Sequence, residues 1–413
     1  LAMSDCSDTK SSPCCDAGAP PARTTGCAFE WFGNMIMNCL GYAKERHAEG
    51  RPIVGIMCEY TPRELIMAAG AVPVCLCGGS ATTIPVAEEY LPANLCPLIK
   101  STFGYHVLAS NPFLEMAQLI VAETTCDGKK KMYELMAETR PMHVLELPQK
   151  PDDPEGFEHW LAELAKLKIA LEQRFSTVIC DTRIRDAIRV MNQERALRRT
   201  LAALMRCDRP PLTGRQLLDL KSSISGLPED FAQYEAALNM LTGTQGPPEL
   251  AKRPRVLLTG VPIAHGAERV LDIIEQSGGL VVCMESCTGL KPILEDVDEN
   301  AADPLRALAE KYFHLPCSVM TPNAARIASL RDLAATYRCD CIIELVWQAC
   351  LTYDIESVQV KRLADELNLP YLKIETDYSP SDSARIQTRV EALYETVRHR
   401  TKPTRCNQQE TIA

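Results

Sequence analysis

The feature that most constrains the fold is a rhythm of short apolar runs and helix-periodic segments, which occurs in two blocks of the chain. In the first block the strand-like runs are "RPIVGIMC", "AVPVCLC", "AQLIVAETT" and "MHVLELP". Two helix-like segments, "TPRELIMAAG" and "KKKMYELMAET", lie between members of this set. Strands that alternate with helices are typical of βαβ units, so this block predicts a parallel sheet.

The segment "TPRELIMAAG" also carries the residue types that begin a helix. Thr61 is predicted as the N-cap, Pro62 occupies the first helical position, and Glu64 completes a capping box. We therefore expect the side chains of Thr61 and Glu64 to bond to the free backbone amides at the start of this helix.

Strand signals vanish between residue 151 and about residue 250, where apolar residues recur at helical spacing. The earlier rhythm then returns with the strand-like runs "VLLTG", "GLVVCMES", "CDCIIELVW" and "PYLKIETDY". The predicted architecture is an α/β fold with two doubly wound parallel-sheet lobes joined by a helical insert. Its predicted parts are a disordered tail (1–28), a first α/β lobe (29–150), a helical insert (151–250) and a second α/β lobe (251–413).

Charge and hydropathy argue against several classes of partner. The formal net charge of −10 argues against a general nucleic-acid binder and against a basic membrane-surface protein. Residues 65–87 carry no charge over a membrane-length stretch, but Gly70, Pro73 and Pro85 interrupt it, so no membrane span is predicted. The first residues show no signal-peptide pattern. We therefore expect a cytoplasmic protein.

Nineteen cysteines are an unusual number for such a chain. A reducing cytosol disfavours disulfides, so metal or redox use is the better interpretation. Six of the cysteines follow predicted strands or lie in loops beside helices: Cys58, Cys96, Cys126, Cys287, Cys317 and Cys350. Ligands bind at the carboxyl ends of strands in α/β sheets, so thiols gathered there would suit a cluster. Spacing alone supports this weakly, because iron–sulfur signatures are normally compact.

Other motifs are interpreted as structural. Cys75/Cys77 and Cys339/Cys341 are Cys-x-Cys pairs in apolar strands, where alternation places both members of a pair on one face, so we expect core residues. The stretch "TGVPIAHG" lies between a strand and a helix like a nucleotide loop. It lacks both the P-loop and the dinucleotide pattern, and is interpreted as a tight strand-to-helix turn that uses Gly260 and Pro262.

Several stretches resemble the 2-hydroxyacyl-CoA dehydratase/benzoyl-CoA reductase superfamily. They are "CEYTPRELIMAAGAVPV", "NLCPLIKSTFG" and "ETTCDGKKKMYELMAE", followed by "HVLELP". The resemblance implies an iron–sulfur cluster held by three cysteines per subunit, which match Cys96, Cys126 and Cys350 in position. It also implies a separate ATP-hydrolysing activator protein that supplies low-potential electrons.

The second half is similar to one branch of this superfamily, the double-cubane cluster proteins. The stretches that carry this similarity are "GVPIAHGAERVLDIIEQSGGLVV", "ESCTGLK", "LVWQACLTYDIES" and "LKIETDYSPSD". In that branch six cysteines hold an eight-iron, nine-sulfur double cubane, which implies a cluster in the cleft between the lobes. The match adds Cys58, Cys287 and Cys317 as ligands, with Cys77 as the rival of Cys58. Relatives pair two such subunits, so a homodimer is expected.

Three functions follow from the resemblance. The first is a reductase, in which the activator hydrolyses ATP and passes single electrons to the double cubane, which reduces a small molecule. The second is a 2-hydroxyacyl-CoA dehydratase-like radical lyase with a four-iron cluster, and the third is a non-catalytic iron–sulfur carrier. We expect the first, because "ESCTGLK" argues against the lyase. The chain has no P-loop and is expected to hydrolyse no ATP by itself.

The lysine run at 129–131 follows Cys126 at a predicted helix start, where positive charge opposes the helix dipole. A thiolate-ligated cluster is anionic, so these lysines and the first helix amides would stabilise it and raise its reduction potential. A docking edge for the activator is an equally weighted alternative. Direct contact between a lysine side chain and the cluster is less favoured.

Overall fold

The computed structural model describes residues 27–400, and its strands form two parallel sheets of four. The strands are β1 (Ile53–Ile56), β2 (Val72–Cys75), β3 (Leu119–Glu123), β4 (Met142–Leu145), β5 (Arg255–Gly260), β6 (Leu280–Glu285), β7 (Cys341–Trp347) and β8 (Tyr371–Thr376). The predicted α/β fold with two lobes is confirmed. The predicted tail at 1–28 lies outside the described residues except for its last two, which begin the first helix.

Both sheets have the same strand order, which creates a switch point at the centre of each. The orders are β2-β1-β3-β4 and β6-β5-β7-β8, with every pairing parallel. In each sheet the second strand therefore lies on one side of the first strand, and the third strand lies on the other side of the first. The carboxyl ends of β1 and β3, and those of β5 and β7, flank this crossing, where open α/β sheets bind ligands.

Helices cover both sheets and form the segment between them. They are α1 (Cys27–Gly33), α2 (Met35–Ala48), α3 (Arg63–Ala68), α4 (Ile84–Ala87), α5 (Pro97–Val107), α6 (Pro112–Met116), α7 (Asp127–Ala137), α8 (Pro154–Phe175), α9 (Asp181–Ala203), α10 (Gly214–Asp219), α11 (Pro228–Leu241), α12 (Arg269–Gln276), α13 (Pro304–Phe313), α14 (Ala324–Thr336), α15 (Leu351–Glu366) and α16 (Ser383–His399). None of the helices in the described part of the chain is long and apolar enough to cross a membrane.

The insert between the sheets is helical, as its apolar spacing predicts. Helix α8 begins with Pro154 after Asp153, whose side chain accepts a bond from the Glu155 amide at 3.2 Å. An isolated antiparallel bridge joins the insert to the edge of the first sheet, between Ile224 and Val74. The insert therefore packs along the first lobe as well as connecting the two. The predicted domain boundaries at 28, 150 and 250 stay a prediction.

The predicted helix cap at Thr61 is wrong. Helix α3 begins at Arg63, and no side chain caps its start. The Thr61 hydroxyl donates instead to Glu123 at the end of β3. Glu64, which was expected to complete the capping box, is fully buried and pairs with Arg195 of α9 at 2.6 Å. Tertiary partners have replaced the local cap.

Cys339 and Cys341 are buried, as predicted, but the prediction of a shared face is wrong. Cys341 opens β7 and packs in one core cluster with Ile343. Cys339 precedes the strand and packs in a different cluster with Ile342. Because Cys339 belongs to the turn after α14, strand alternation does not apply to it.

The turn after β5 has the structural role predicted for it. Gly260 has a φ of +111°, and a Cβ atom there would lie 2.0 Å from the carbonyl oxygen of Leu345 on β7. Only glycine combines this φ with such close contact between neighbouring strands. The residue therefore shapes the strand end at the second switch point.

The two lobes contact each other through loops at the carboxyl ends of their strands. The Tyr60 hydroxyl donates to the carbonyl oxygen of Leu315 at 2.9 Å, and the Tyr378 hydroxyl donates to that of Gly78 at 3.1 Å. A Cβ atom at Gly79 would lie 2.2 Å from the carbonyl oxygen of His265, so the backbones of two loops touch there. The strand ends of the two sheets therefore face each other.

Candidate functional site

Three of the predicted ligand cysteines occupy N-cap positions of helices. Cys96 precedes α5, Cys126 precedes α7 and Cys350 precedes α15. The positive end of the helix dipole and the free amides of the first turn lie beside an N-cap side chain, so they stabilise a thiolate. Cys96, Cys126 and Cys350 are called the Cys126 group below.

The thiols of the Cys126 group influence one another's ionisation. A hydrogen bond with Cys350 lowers the pKa of the Cys96 thiol to about 7, although burial opposes this. The same contact raises the pKa of Cys350, with burial and the charges of Cys96 and Cys126 adding to the effect. Burial raises the pKa of Cys126, whereas the amides of Lys129 and Gly128 lower it. The structure thus brings thiols from both lobes together.

A second set of thiols lies around Tyr60 and consists of Cys58, Cys287 and Cys317, called the Cys317 group below. The pKa of the Tyr60 phenol is raised by burial and then by Cys317, Cys58 and Cys287, so the ring lies close to all three. Burial raises the pKa of Cys58 to about 12, and Glu123 and Cys317 add to this. This group also draws on both lobes, because Cys58 follows β1 and Cys287 follows β6.

Cys77, the predicted rival of Cys58, lies at the edge of the Cys317 group. Its Sγ atom is 3.6 Å from the carbonyl oxygen of Met57. A hydrogen bond with Cys75 raises the pKa of Cys77 and lowers that of Cys75 to about 6. Cys75 and Cys77 are both only half-buried, and β2 ends at Cys75, so the prediction that this pair lies in the core of one strand is wrong. The choice between Cys58 and Cys77 stays a prediction.

The three lysines after Cys126 have different environments. Lys129 is half-buried, and its Nζ atom donates to the carbonyl oxygen of Met57 at 2.7 Å. Lys130 and Lys131 are exposed and pair with carboxylates of the same helix. Only Lys129 of the three is placed to compensate negative charge at the thiols.

A buried network of charges lies beside the Cys317 group. The Nζ atom of Lys291 donates to the Tyr353 hydroxyl at 2.9 Å and lies 3.1 Å from Glu285. Arg326, which is fully buried, lies 3.4 Å from the other oxygen of Glu285. Burial raises the pKa of Cys287, and the charge of Lys291 opposes that rise. The network therefore places a fixed cation beside this thiol.

Sequence reasoning missed Tyr60, Lys291 and Tyr353 as parts of the site. Local signals for two of them existed: Tyr353 follows Cys350 by one helical turn, and Lys291 follows Cys287 in "ESCTGLK". Tyr60 also follows a predicted ligand, Cys58, by two residues, but its approach to Cys317 comes from the packing of the lobes.

The donor atoms of the two thiol groups limit what they could hold. Within residues 27–400, no group of three or more His, Cys, Asp or Glu side chains is arranged to hold one metal ion. The two groups offer six soft sulfur donors, the ligand type that iron–sulfur clusters use.

Two parallel-sheet lobes with thiols at their facing strand ends define a two-lobed α/β protein with a candidate iron–sulfur site. A family model described as "2-hydroxyglutaryl-CoA dehydratase, D-component" matches residues 58–397. The match includes all six predicted ligands and every strand except β1. The chain belongs to this family. The resemblance to the 2-hydroxyacyl-CoA dehydratase/benzoyl-CoA reductase superfamily is thereby confirmed, and the double-cubane branch stays a prediction.

Similar proteins carry names of the same kind. The chain is 41% identical over 361 residues to "Putative dehydratase subunit YjiM" of Escherichia coli (strain K12), covering 85% of this chain and 92% of that protein. It is 24% identical to the (R)-phenyllactyl-CoA dehydratase beta subunit of Clostridium sporogenes, over 89% of this chain and 98% of that protein. It is 23% identical to one of the subunits of benzoyl-CoA reductase from Thauera aromatica, over 64% of this chain and 68% of that protein. The relatives of this chain are therefore named as subunits of enzymes.

Replacing Glu344 by glutamine is expected to change how stability depends on pH. Burial raises the pKa of Glu344 to about 7, although Arg326 and the Tyr371 hydroxyl oppose the rise. Because this pKa is raised from the ordinary value of 4.5, the folded chain holds the Glu344 proton more tightly than the unfolded chain does. The stability that results is fully present below pH 4.5 and is lost as the pH rises through about 7. Urea midpoints of Glu344→Gln should therefore fall less over this range than those of the wild type. Glu366→Gln, at an exposed site, is the control, and parallel curves for wild type and Glu344→Gln would contradict the prediction.

Proposed function

We propose that the chain is an iron–sulfur reductase whose double-cubane cluster is held by six thiolates. The proposed ligands are those of the two groups: Cys58, Cys96, Cys126, Cys287, Cys317 and Cys350. The observation that carries this proposal is the convergence of thiols from both lobes into two groups of three. Two cubanes joined through a sulfide need three protein ligands each, which is the number that each group offers.

A bound cluster of this kind would supply single electrons at low potential for the reduction of a small molecule. The residues of the chain would hold it and tune its charge. Amides of the first turns of α5, α7 and α15 lie beside three of the thiols and would stabilise thiolate ligands. The buried rings of Tyr60 and Tyr353 lie against the Cys317 group and would exclude water from it.

The proposed function also requires two partners, an activator protein and a second copy of the chain. An ATP-hydrolysing activator protein would deliver the electrons, because the chain carries no P-loop of its own. Two copies of the chain would form a homodimer in the cytoplasm. One of the relatives belongs to a benzoyl-CoA reductase, which supports reduction as a reaction compatible with this fold.

A second candidate is a dehydratase-like radical lyase with a four-iron cluster. It is favoured by the names of the relatives, since the protein that is 41% identical is called a putative dehydratase subunit. In that case the Cys126 group alone would hold a single cubane, and the Cys317 group would carry no iron. Iron content therefore separates the two candidates.

The wild-type chain, reconstituted anaerobically with iron and sulfide, is expected to hold roughly eight irons, whereas the lyase would hold roughly four. With the activator added, ATP consumption should rise with a reducible substrate. The chain without activator is the control and should consume no ATP. Roughly four irons would favour the lyase, and iron without substrate-dependent ATP consumption would favour a carrier.

A further inference from the structure

Lys129 connects the loops that carry the two thiol groups. It lies in the first turn of α7, three residues after Cys126. Its Nζ atom donates at 2.7 Å to the carbonyl oxygen of Met57, the residue before Cys58. The Sγ atom of Cys77 lies 3.6 Å from the same oxygen. One ammonium group is therefore fixed where the loop of Cys126 meets the loop of Cys58.

Burial lowers the pKa of Lys129, whereas Tyr133, Cys58, Cys77 and the Glu123 carboxylate raise it, so the charge of Lys129 acts on two thiols and on a more distant carboxylate. Lys130 lies 2.9 Å from Asp127, and Lys131 pairs with Glu134. Lys129 makes no ion pair closer than 4 Å within residues 27–400. Lys129 lies three residues after Cys126, and its Nζ atom contacts the carbonyl oxygen of the residue before Cys58, so a ligand of each group lies close to its charge. A half-buried cation is weakly screened, so its effect on nearby charge is larger than at the surface.

We propose that Lys129 is a positioning residue whose fixed positive charge spans the two thiol groups and sets the potential at which the bound cluster accepts an electron. This inference rests on the proposed function. In the step concerned, a one-electron reductant gives an electron to the cluster, whose net charge becomes more negative by one, and no covalent bond forms or breaks. A cation held beside the cluster stabilises the reduced form more than the oxidised form. Removing it therefore lowers the midpoint potential.

The test is an EPR-monitored redox titration of anaerobically reconstituted protein with titanium(III) citrate as the reductant. At a fixed applied potential, Lys129→Met is expected to reduce the ratio of reduced to oxidised cluster at least tenfold, a shift of about 59 mV for a one-electron couple. Lys130→Met is the matched control, because it removes the neighbouring but exposed charge of the same helix, and it should leave the ratio unchanged. Lys129→Arg, which restores the charge, should recover most of the potential.

Iron content and thermal unfolding, measured on the same samples, separate the outcomes. A wild-type chain that takes up no iron overturns the proposed function and this inference with it. If the wild type and Lys129→Met hold equal iron and have equal potentials, the inference alone is overturned. If Lys129→Met and Lys129→Arg both lose iron, Lys129 supports cluster assembly rather than potential, and the inference is again wrong. Equal iron with a lowered potential in Lys129→Met, restored in Lys129→Arg, supports it.

Discussion

Replacing Cys126 or Cys350 by serine is expected to remove about half or more of the iron bound by the reconstituted chain. Both residues are N-caps whose half-buried sulfurs belong to the Cys126 group. A serine hydroxyl stays protonated at neutral pH and is a poor iron ligand. A cubane that loses one of its three thiolates should therefore degrade or fail to assemble, while the other cubane can persist.

The controls are Cys339→Ala and Cys75→Ala, assayed for iron and sulfide after identical anaerobic reconstitution. Cys339 is buried outside both thiol groups, and its loss should cost a modest amount of stability and no iron. Cys75 contacts Cys77, so it is the stricter control of the two. If Cys339→Ala loses as much iron as Cys126→Ser, the separation of ligands from core cysteines is wrong, and the assignment of six ligands is wrong with it.

Replacing Arg195 by methionine is expected to lower the free energy of unfolding by about 3–5 kcal/mol. Arg195 and Glu64 are both buried, and the Arg195 guanidinium lies 2.6 Å from the Glu64 carboxylate. The Tyr312 hydroxyl donates to the same carboxylate at 2.8 Å. Without the guanidinium, Glu64 would remain as a buried carboxylate with no other ion pair closer than 4 Å among residues 27–400. The cost is large because three elements, α3, α9 and α13, meet at this carboxylate.

The matched control is Arg189→Met on the same helix. Arg189 lies 2.6 Å from Asp186, but both side chains are exposed, so its loss should cost about 1 kcal/mol or less. Urea unfolding of both variants measures the difference. A double variant with Glu64→Gln and Arg195→Met should regain part of the loss, because it removes the unpaired charge. Equal losses in Arg195→Met and Arg189→Met would contradict the prediction.

Local sequence patterns identified the elements of the fold well because period and punctuation are local properties. The run "VLLTG" became β5, and most of the segment "KKKMYELMAET" became part of α7, which begins directly after Cys126. The predicted helix cap at Thr61 does not form because the Thr61 hydroxyl donates to Glu123, at the end of β3. Patterns within ten residues cannot register a partner that packing supplies from a distant part of the chain.

The candidate site was predictable in its members but not in its grouping. Each cysteine could be placed at a strand or helix end from its own neighbours in sequence. The pairing of Cys96 with Cys350 depends on how the two lobes face each other, which no local pattern encodes. The burial of Lys129 was likewise not predictable, because three consecutive lysines look alike in sequence. In the structure Lys129 is half-buried and Lys130 and Lys131 are exposed.

Helix α1 has a consequence for the order of events during synthesis. Its Phe32 ring stacks on Tyr234 with centroids 4.7 Å apart, and its Ala28 and Phe32 share a core cluster with Leu257 and Val282 of the second sheet. At about 5–20 residues per second, a ribosome needs roughly 10–50 s to travel from the codon of Phe32 to that of Leu257. Throughout this interval the apolar side of α1 lacks its partners in the second sheet, and Tyr234 becomes available only towards the end of it. We therefore expect the nascent chain to expose an early binding site for chaperones, which the helical insert covers first and the second lobe covers fully.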